Sequence, residues 1–297
     1  MILEDIQDPV EQFVAFIEER ENIRVRRASG KPWPWTHESI LQNYRFTNIH
    51  REDDATSKHY QRTIREHYGE NEQVFPGTVL YRWFNRISTC DSFFNEPNFT
   101  NKSIYELYIG SGDYDLLLTR LYQIPTPHVT GAYLISSKPG YSKGEGILQY
   151  FHNWCKRPWQ EKWFEWMDTH PTLQELHDWT GAVPGLGSFM TAQIVADLKY
   201  LPMFRTASDW WEFAAPGPGS MRGLNILMGR EMNKPWKTEE WLAALSNLNT
   251  VVTPMLKDIG IDKLHNQDLQ NCLCEFSKFT KVVRGLGRPR QVFRTRV

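Results

Sequence analysis

The chain has 297 residues, with 40% hydrophobic and 23% charged side chains, enough for one large domain or two modest ones sharing an interface. Lys and Arg number 34 against 35 for Asp and Glu, a formal charge of −1. That balance excludes an all-over electrostatic coat for nucleic acid, because such binding scales with the phosphates neutralised.

Charge is nevertheless unevenly spread. Lys278 to Val297 carries seven basic residues and no acid, and Arg20 to Lys31 carries five basic residues with the single acid Glu21. Two such runs are solvated faces, or together border one nucleic-acid channel. The aromatic share is 13%, with 12 Trp. Most of these are expected in the core and at domain interfaces, although Trp also stacks on bases. Cys90, Cys155, Cys272 and Cys274 make neither a disulfide framework nor a zinc half-site, so reduced thiols and no metal are expected. Without a signal-peptide core or a bilayer-length apolar run, the expectation is a cytoplasmic protein with no membrane partner.

In chain order, residues 5–27 read as an amphipathic helix with Val10, Phe13, Val14 and Ile17 on its apolar face. Pro32 and Pro34 interrupt helical geometry. Thr36 then looks like the N-cap of a helix to about Phe46. Further helices are predicted over 54–68, 75–87, 101–108, 113–121, 142–155, 158–168 and 172–179. Thr172 and Glu175 give the last a capping-box spacing. Strand signals are few, so the fold class is mainly α. One unit is expected, with two lobes drawn at 1–135 and 136–297.

The sharpest motif lies at 172–199, a helix, a short turn containing Gly185 and Gly187, and a second helix from about Ser188. Glycines there permit left-handed geometry and close approach. The amides of the turn and of the first helical turn can hold a phosphodiester; a merely structural turn is the alternative. The pattern resembles the helix-hairpin-helix of DNA repair glycosylases. Against glycosylase chemistry, Phe189 stands where bifunctional members carry lysine, and the expected aspartate falls at Asp209 in an unmatched context.

Three further stretches carry polar chemistry. Ala215–Asn225 holds three glycines, Ser220 and Arg222, a set suited to a phosphate or pyrophosphate, or a turn before a helix at 221–230. No Walker A loop occurs anywhere. Tyr44–Asp54 packs Asn48, Arg51 and Asp54 among aromatics. Such a group forms an ion-pair network, or a base-recognition edge with a general base. Tyr81–Arg86 repeats that theme with Arg82 and Asn85, and Asp197 lies four residues from Gln193 on one helix face. Asp197 then points into the same cavity or salt-bridges one of the arginines.

Taken in order, Phe46–Asp54, Tyr81–Asn85, the Gly185–Asp197 hairpin, Gly217–Gly223 and Cys274–Phe279 resemble the phage DNA thymine-hypermodification proteins. These comprise the 5-hydroxymethyluracil DNA kinase helical domain and the related α-glutamyl/putrescinyl thymine pyrophosphorylases, or amino acid:DNA transferases. The resemblance implies a glycosylase-like helical fold acting on double-stranded DNA with a modified thymine. An amine, an amino acid or a polyamine, displaces pyrophosphate from the base, with a pathway kinase upstream and no cofactor. In that picture Asn48, Arg51 and Asn85 line the base pocket, while Arg82, Ser220 and Arg222 hold pyrophosphate. Asp54 is the first choice of base, then Asp197 or Glu275. Gly185, Gly187, Ser188, Lys278, Arg288 and Arg290 meet the DNA. Cys274 is a nucleophile or, more simply, a buried thiol. The competing expectations are a glycosylase for a modified pyrimidine and a non-catalytic DNA-binding partner of a kinase.

Overall fold

A computed structural model describes residues 3–95, 101–131, 138–287, 289 and 292–293. The helices run α1 (Pro9–Ala28), α2 (Ser39–Asn43), α3 (Ala55–Tyr60), α4 (Glu66–Tyr68), α5 (Val74–Phe84) and α6 (Ile87–Phe94). They continue as α7 (Ile104–Ser111), α8 (Tyr114–Gln123), α9 (Lys143–Cys155), α10 (Trp159–Thr169), α11 (Leu173–Gly181) and α12 (Ser188–Leu198). The last four are α13 (Pro202–Arg205), α14 (Pro218–Leu227), α15 (Thr238–Asp258) and α16 (Asn266–Val283). Among the described residues the one β feature is an isolated Tyr44–Val292 bridge, so the fold is mainly α.

Helix starts follow local chemistry. Asp8 accepts the Val10 and Glu11 amides at 2.9 Å ahead of Pro9, satisfying donors that the first turn leaves unpaired. Reciprocal capping boxes open α7 (Ser103/Glu106), α9 (Ser142/Glu145) and α11 (Thr172/Glu175). Two expectations are corrected here. Glu38, not Thr36, caps a helix that ends at Asn43 rather than near Phe46, because Thr36 Oγ1 accepts the Glu38 amide instead. The helix placed at 221–230 starts earlier, at Pro218, where proline is favoured because its missing N–H has no helical acceptor.

Two compact units divide the chain, Met1–Asp54 with Trp211–Val297, and Ala55–Trp210. The chain's two ends thus share a unit, a division different from lobes at 1–135 and 136–297.

The core of the first unit collects Phe13, Phe16 and Ile17 of α1, Leu245 and Val252 of α15, and Leu269, Cys272 and Phe276 of α16. Its tightest contact joins α14 to α16. A Cβ on Gly219 would lie 2.3 Å from Cys274 Sγ, and one on Gly223 would lie 2.2 Å from the Leu273 carbonyl oxygen. Glycines one turn apart therefore let the two backbones approach within a distance no other residue permits.

In the second unit Phe75 is ringed by Trp154, Trp163, Trp166 and Trp179, with centroids 5.2–6.0 Å away. Four of the 12 tryptophans thus pack around one phenylalanine. Every residue of α5 is buried.

Gly223→Ala is expected to destabilise the fold by about 1–3 kcal/mol or more through overpacking against an immovable carbonyl. Gly110→Ala, on α7 with open space around its Cβ, should be neutral or gain up to about 1 kcal/mol. Denaturant unfolding of the pair decides whether the α14–α16 approach is the constraint.

Candidate functional site

The polar residues expected at a site fall into separate groups within each unit. In the first unit, residues 45–50 run along α16 without forming a helix or joining a sheet, and lead into a 3-10 turn at Arg51–Asp53. A stripe on α16 spaced by three or four residues receives them in antiparallel order. Lys278 Nζ donates to the Arg45 carbonyl at 2.9 Å, and Glu275 Oε2 accepts the Thr47 amide at 3.4 Å. Asn271 donates to Thr47 Oγ1 at 2.9 Å, and Asp268 Oδ1 accepts the Arg51 amide at 3.2 Å. From α1, buried Arg20 donates to the carbonyls of Thr47 (2.6 Å) and Asn48 (3.1 Å). Side chains thus satisfy backbone groups that secondary structure would otherwise pair.

Asp54 closes the segment. Its Oδ1 accepts the Asn48 amide at 3.0 Å, and Asn48 Nδ2 donates to the Asp53 carbonyl at 2.9 Å. Among the described residues the second Asp54 oxygen and Asn48 Oδ1 have no partner. Burial raises the Asp54 pKa, against the Asn48 N–H and the charges of Arg51 and Arg20, with Glu275 adding to the rise. A carboxyl poised this way holds a proton more readily than an exposed one.

Asp268 is 2% exposed and lies 3.4 Å from both His50 Nδ1 and His265 Nε2. Burial works against its charge, but the contact with His50, then His265 and the Arg51 amide, keep its pKa low. The same contact raises that of His50. None of His50, Asp268, Arg20 or Asn271 was singled out from sequence. Arg20 left a signal, since it continues the apolar stripe Phe13, Phe16, Ile17 of α1, where a charge needs partners.

Arg222 sits on α14 with Nε buried and unpartnered. Its charge acts on Cys274 and Lys281, and it makes no salt bridge among the described residues. Burial pushes the Cys274 thiol up to about 11, which makes it a poor nucleophile at neutral pH. Ser220 departs from the expected pyrophosphate contact. It is fully buried, and its hydroxyl accepts the Gly217 amide at 3.1 Å and donates to the Gly217 carbonyl at 3.0 Å. Gly219 and Gly223 serve the helix approach rather than a phosphate loop. Glu275 is held by Lys278 at 2.6 Å as well as by Thr47, which makes it a positioning group rather than a free base. Arg288 and Arg290 lie outside the described residues.

In the second unit, Arg82 and Asp197 meet at the α5–α12 contact, both sealed from solvent. Arg82 Nε donates to Asp197 Oδ2, and Nη2 donates to Oδ1 at 2.7 Å. Nη1 donates to Asn85 Oδ1 at 2.9 Å. Arg82, Asn85 and Asp197, expected at a substrate, are thus bound to one another. The physical reason is desolvation, since a guanidinium inside an apolar helix requires a paired counter-charge.

Helices α11 and α12 flank the turn 182–187. Gly185 has φ +93°, and a Cβ there would strike the Tyr150 ring at 2.6 Å. Gly187 is the N-cap of α12 and, having no side chain, supplies no side-chain cap hydrogen bond. Asp209, the residue a glycosylase reading would use, accepts the Leu173 and Gln174 amides at 2.8 and 2.9 Å. Both its oxygens therefore cap α11. No group of described residues is suited to a metal ion, and no described helix is long and apolar enough to cross a membrane.

The fold and site thus define a helical protein in which an extended polar segment is clamped by helix side chains. The chain belongs to the family described as "5-hmdU DNA kinase, helical domain", which matches residues 7–286. It is 34% identical over 79 residues to the 5-hmdU DNA kinase of Bacillus phage SP10, a match covering 25% of this chain and 12% of that protein. No solved structure matches.

Two predictions follow from these groups. Asp197→Asn should destabilise the fold by about 3–5 kcal/mol by stranding a buried guanidinium, measured by denaturant unfolding. The raised pKa of His50 means its ion pair stabilises fully below the ordinary value of about 6.5 and loses that effect as pH climbs through the raised one. Asp268, with a lowered pKa, loses its contribution as pH falls through the carboxylate range. The unfolding midpoint should therefore decline on both sides, and His50→Gln should flatten the alkaline decline.

Proposed function

We propose that the chain is a DNA base-hypermodification enzyme of a phage thymine-modification pathway. It displaces pyrophosphate from a 5-(pyrophosphoryloxymethyl)uracil in DNA with the amine of an amino acid or polyamine. The observation that carries this reading is Asp54, fixed through one oxygen by the Asn48 amide, without a hydrogen bond to the other among the described residues, and raised in pKa by burial. That is the equipment of a general base for an incoming ammonium.

Asn48 Oδ1 and Arg51 would face the base, and Arg222 with Lys278 would neutralise the departing pyrophosphate, the electrostatic assistance a polyanionic leaving group needs. The turn at Gly185 and Gly187 with the Ser188 amides would grip a phosphodiester. Arg82, Asn85, Asp197 and Ser220 have no role in this scheme beyond holding the fold. The occupied Asp209 speaks against excision of the base.

Incubation with DNA carrying the pyrophosphate ester and pooled amines should yield a heavier nucleoside with release of pyrophosphate, read by nucleoside mass spectrometry. Asp54→Asn should lower the rate by about 10²–10⁴-fold while DNA binding persists. Abasic sites and free base would instead identify a glycosylase, and no product with any amine would sink the transferase reading.

The family description favours one second reading, a non-catalytic helical partner that presents hydroxymethyluracil DNA to a kinase. Tight binding to that DNA, indifferent to Asp54→Asn and without turnover, is its signature.

A further inference from the structure

His50 precedes the 3-10 turn Arg51–Asp53 and offers no side-chain cap to it. Its ring is held from one side only. Nδ1 lies 3.4 Å from Asp268 Oδ2, the His50 side chain is 34% exposed and that of Asp268 3%. Asp268 is itself fixed by the Arg51 amide at 3.2 Å and by His265 Nε2 at 3.4 Å. Among the described residues Nε2 of His50 has no partner. A buried carboxylate on Nδ1 places the proton there and orients the ring, leaving Nε2 as the working atom.

The charged groups facing His50 come from three elements. Asp268 is on α16, preceded by its cap residue His265; Glu21 is on α1; Asp53 is on the turn itself. Arg24 of α1 is turned toward Glu21 (2.5 Å) and Asp53 (3.5 Å), so carboxylates dominate the field at the ring. Such a field favours the imidazolium. Asp54, four residues on, is also raised in pKa, there because burial favours the uncharged carboxylic acid. An imidazolium can give up a proton and a carboxylate whose pKa is raised can take one, so the two groups can serve one reaction as acid and base.

We propose that His50, oriented by Asp268, is the proton donor to the departing pyrophosphate oxygen, an assignment that rests on the transferase reading above. The amine nitrogen forms its bond to the methylene carbon as the carbon–oxygen bond breaks, and that bond's electron pair goes to pyrophosphate. The imidazolium gives its Nε2 proton to the oxygen so released. Asp54 takes a proton from the attacking nitrogen, and exchange with water then restores both groups. Asp268 touches no substrate; it positions His50.

The test uses the full chain with ¹⁵N-labelled histidine, its ring signals followed by NMR and assigned with His50→Gln. Inorganic pyrophosphate at neutral pH should move the His50 signals saturably. Asp268→Asn should lower the pH at which His50 titrates and weaken the pyrophosphate response. His50→Gln should slow amine transfer about a hundredfold, within the range for loss of an acid–base group, and remove the alkaline limb of its pH profile. His50 signals unmoved at saturating pyrophosphate overturn the assignment, even if the wild-type protein transfers amines. Moving signals with no transfer by the wild-type protein overturn the donor role together with the reaction. They leave His50 as a pyrophosphate contact alone.

Discussion

A run of peptide groups that belongs to neither helix nor sheet must find its hydrogen bonds elsewhere, and in the segment leading to the Arg51–Asp53 turn side chains supply most of them. Lys278, Glu275 and Asp268 on one face of α16, Arg20 on α1 and Asp54 within the segment each take a backbone partner. Because most of these are ionised, the bonds are of the stronger, charge-assisted kind. The segment is thereby fixed in a conformation it has no intrinsic preference for. That fixation leaves His50, Asn48 and Asp54 half-buried along the segment.

The close α14–α16 approach determines where those groups sit. With a Cβ at Gly219 or Gly223, α16 would have to retreat from α14, carrying with it the carboxylates and lysine that hold the segment. Site geometry in the first unit is therefore set by two glycines that bind nothing. In the second unit a different rule holds. A helix buried on all sides carries one cation, Arg82, and Asp197 answers it. A guanidinium so occupied is a fixture of the fold, which separates it from Arg222, whose Nε remains unmatched.

The sequence made some of this legible and hid the rest for physical reasons. Capping boxes and apolar periodicity are local, and so Thr172–Glu175, Ser188 and the boundaries near 143–155 are read correctly from neighbouring residues. Glycines carry no such label. Gly217–Gly223 has the composition of an anion loop, and only the partner helix, far along the chain at Leu273 and Cys274, reveals a packing contact. The partner of a polar side chain is equally non-local. Arg82 and Asp197 are 115 positions apart. Local patterns predicted that an arginine and an aspartate existed on suitable faces, without saying whether a substrate or each other would be met. His50 drew no attention because a lone histidine has no meaning until Asp268 is placed behind it.

The first unit joins residues 1–54 with 211–297, which flank the continuous stretch 55–210 in sequence. Thr47 must wait for Glu275, 228 positions later, before its amide is satisfied. During synthesis the intervening stretch emerges whole and can fold as a unit, while α1 and its polar segment remain without a partner until α16 appears. Contacts of such long sequence separation are slow to form because the loop they close is entropically expensive. Order of manufacture is thus built into the architecture. The scaffold of aromatics can form first, and the polar segment acquires its shape only once α16 has been made.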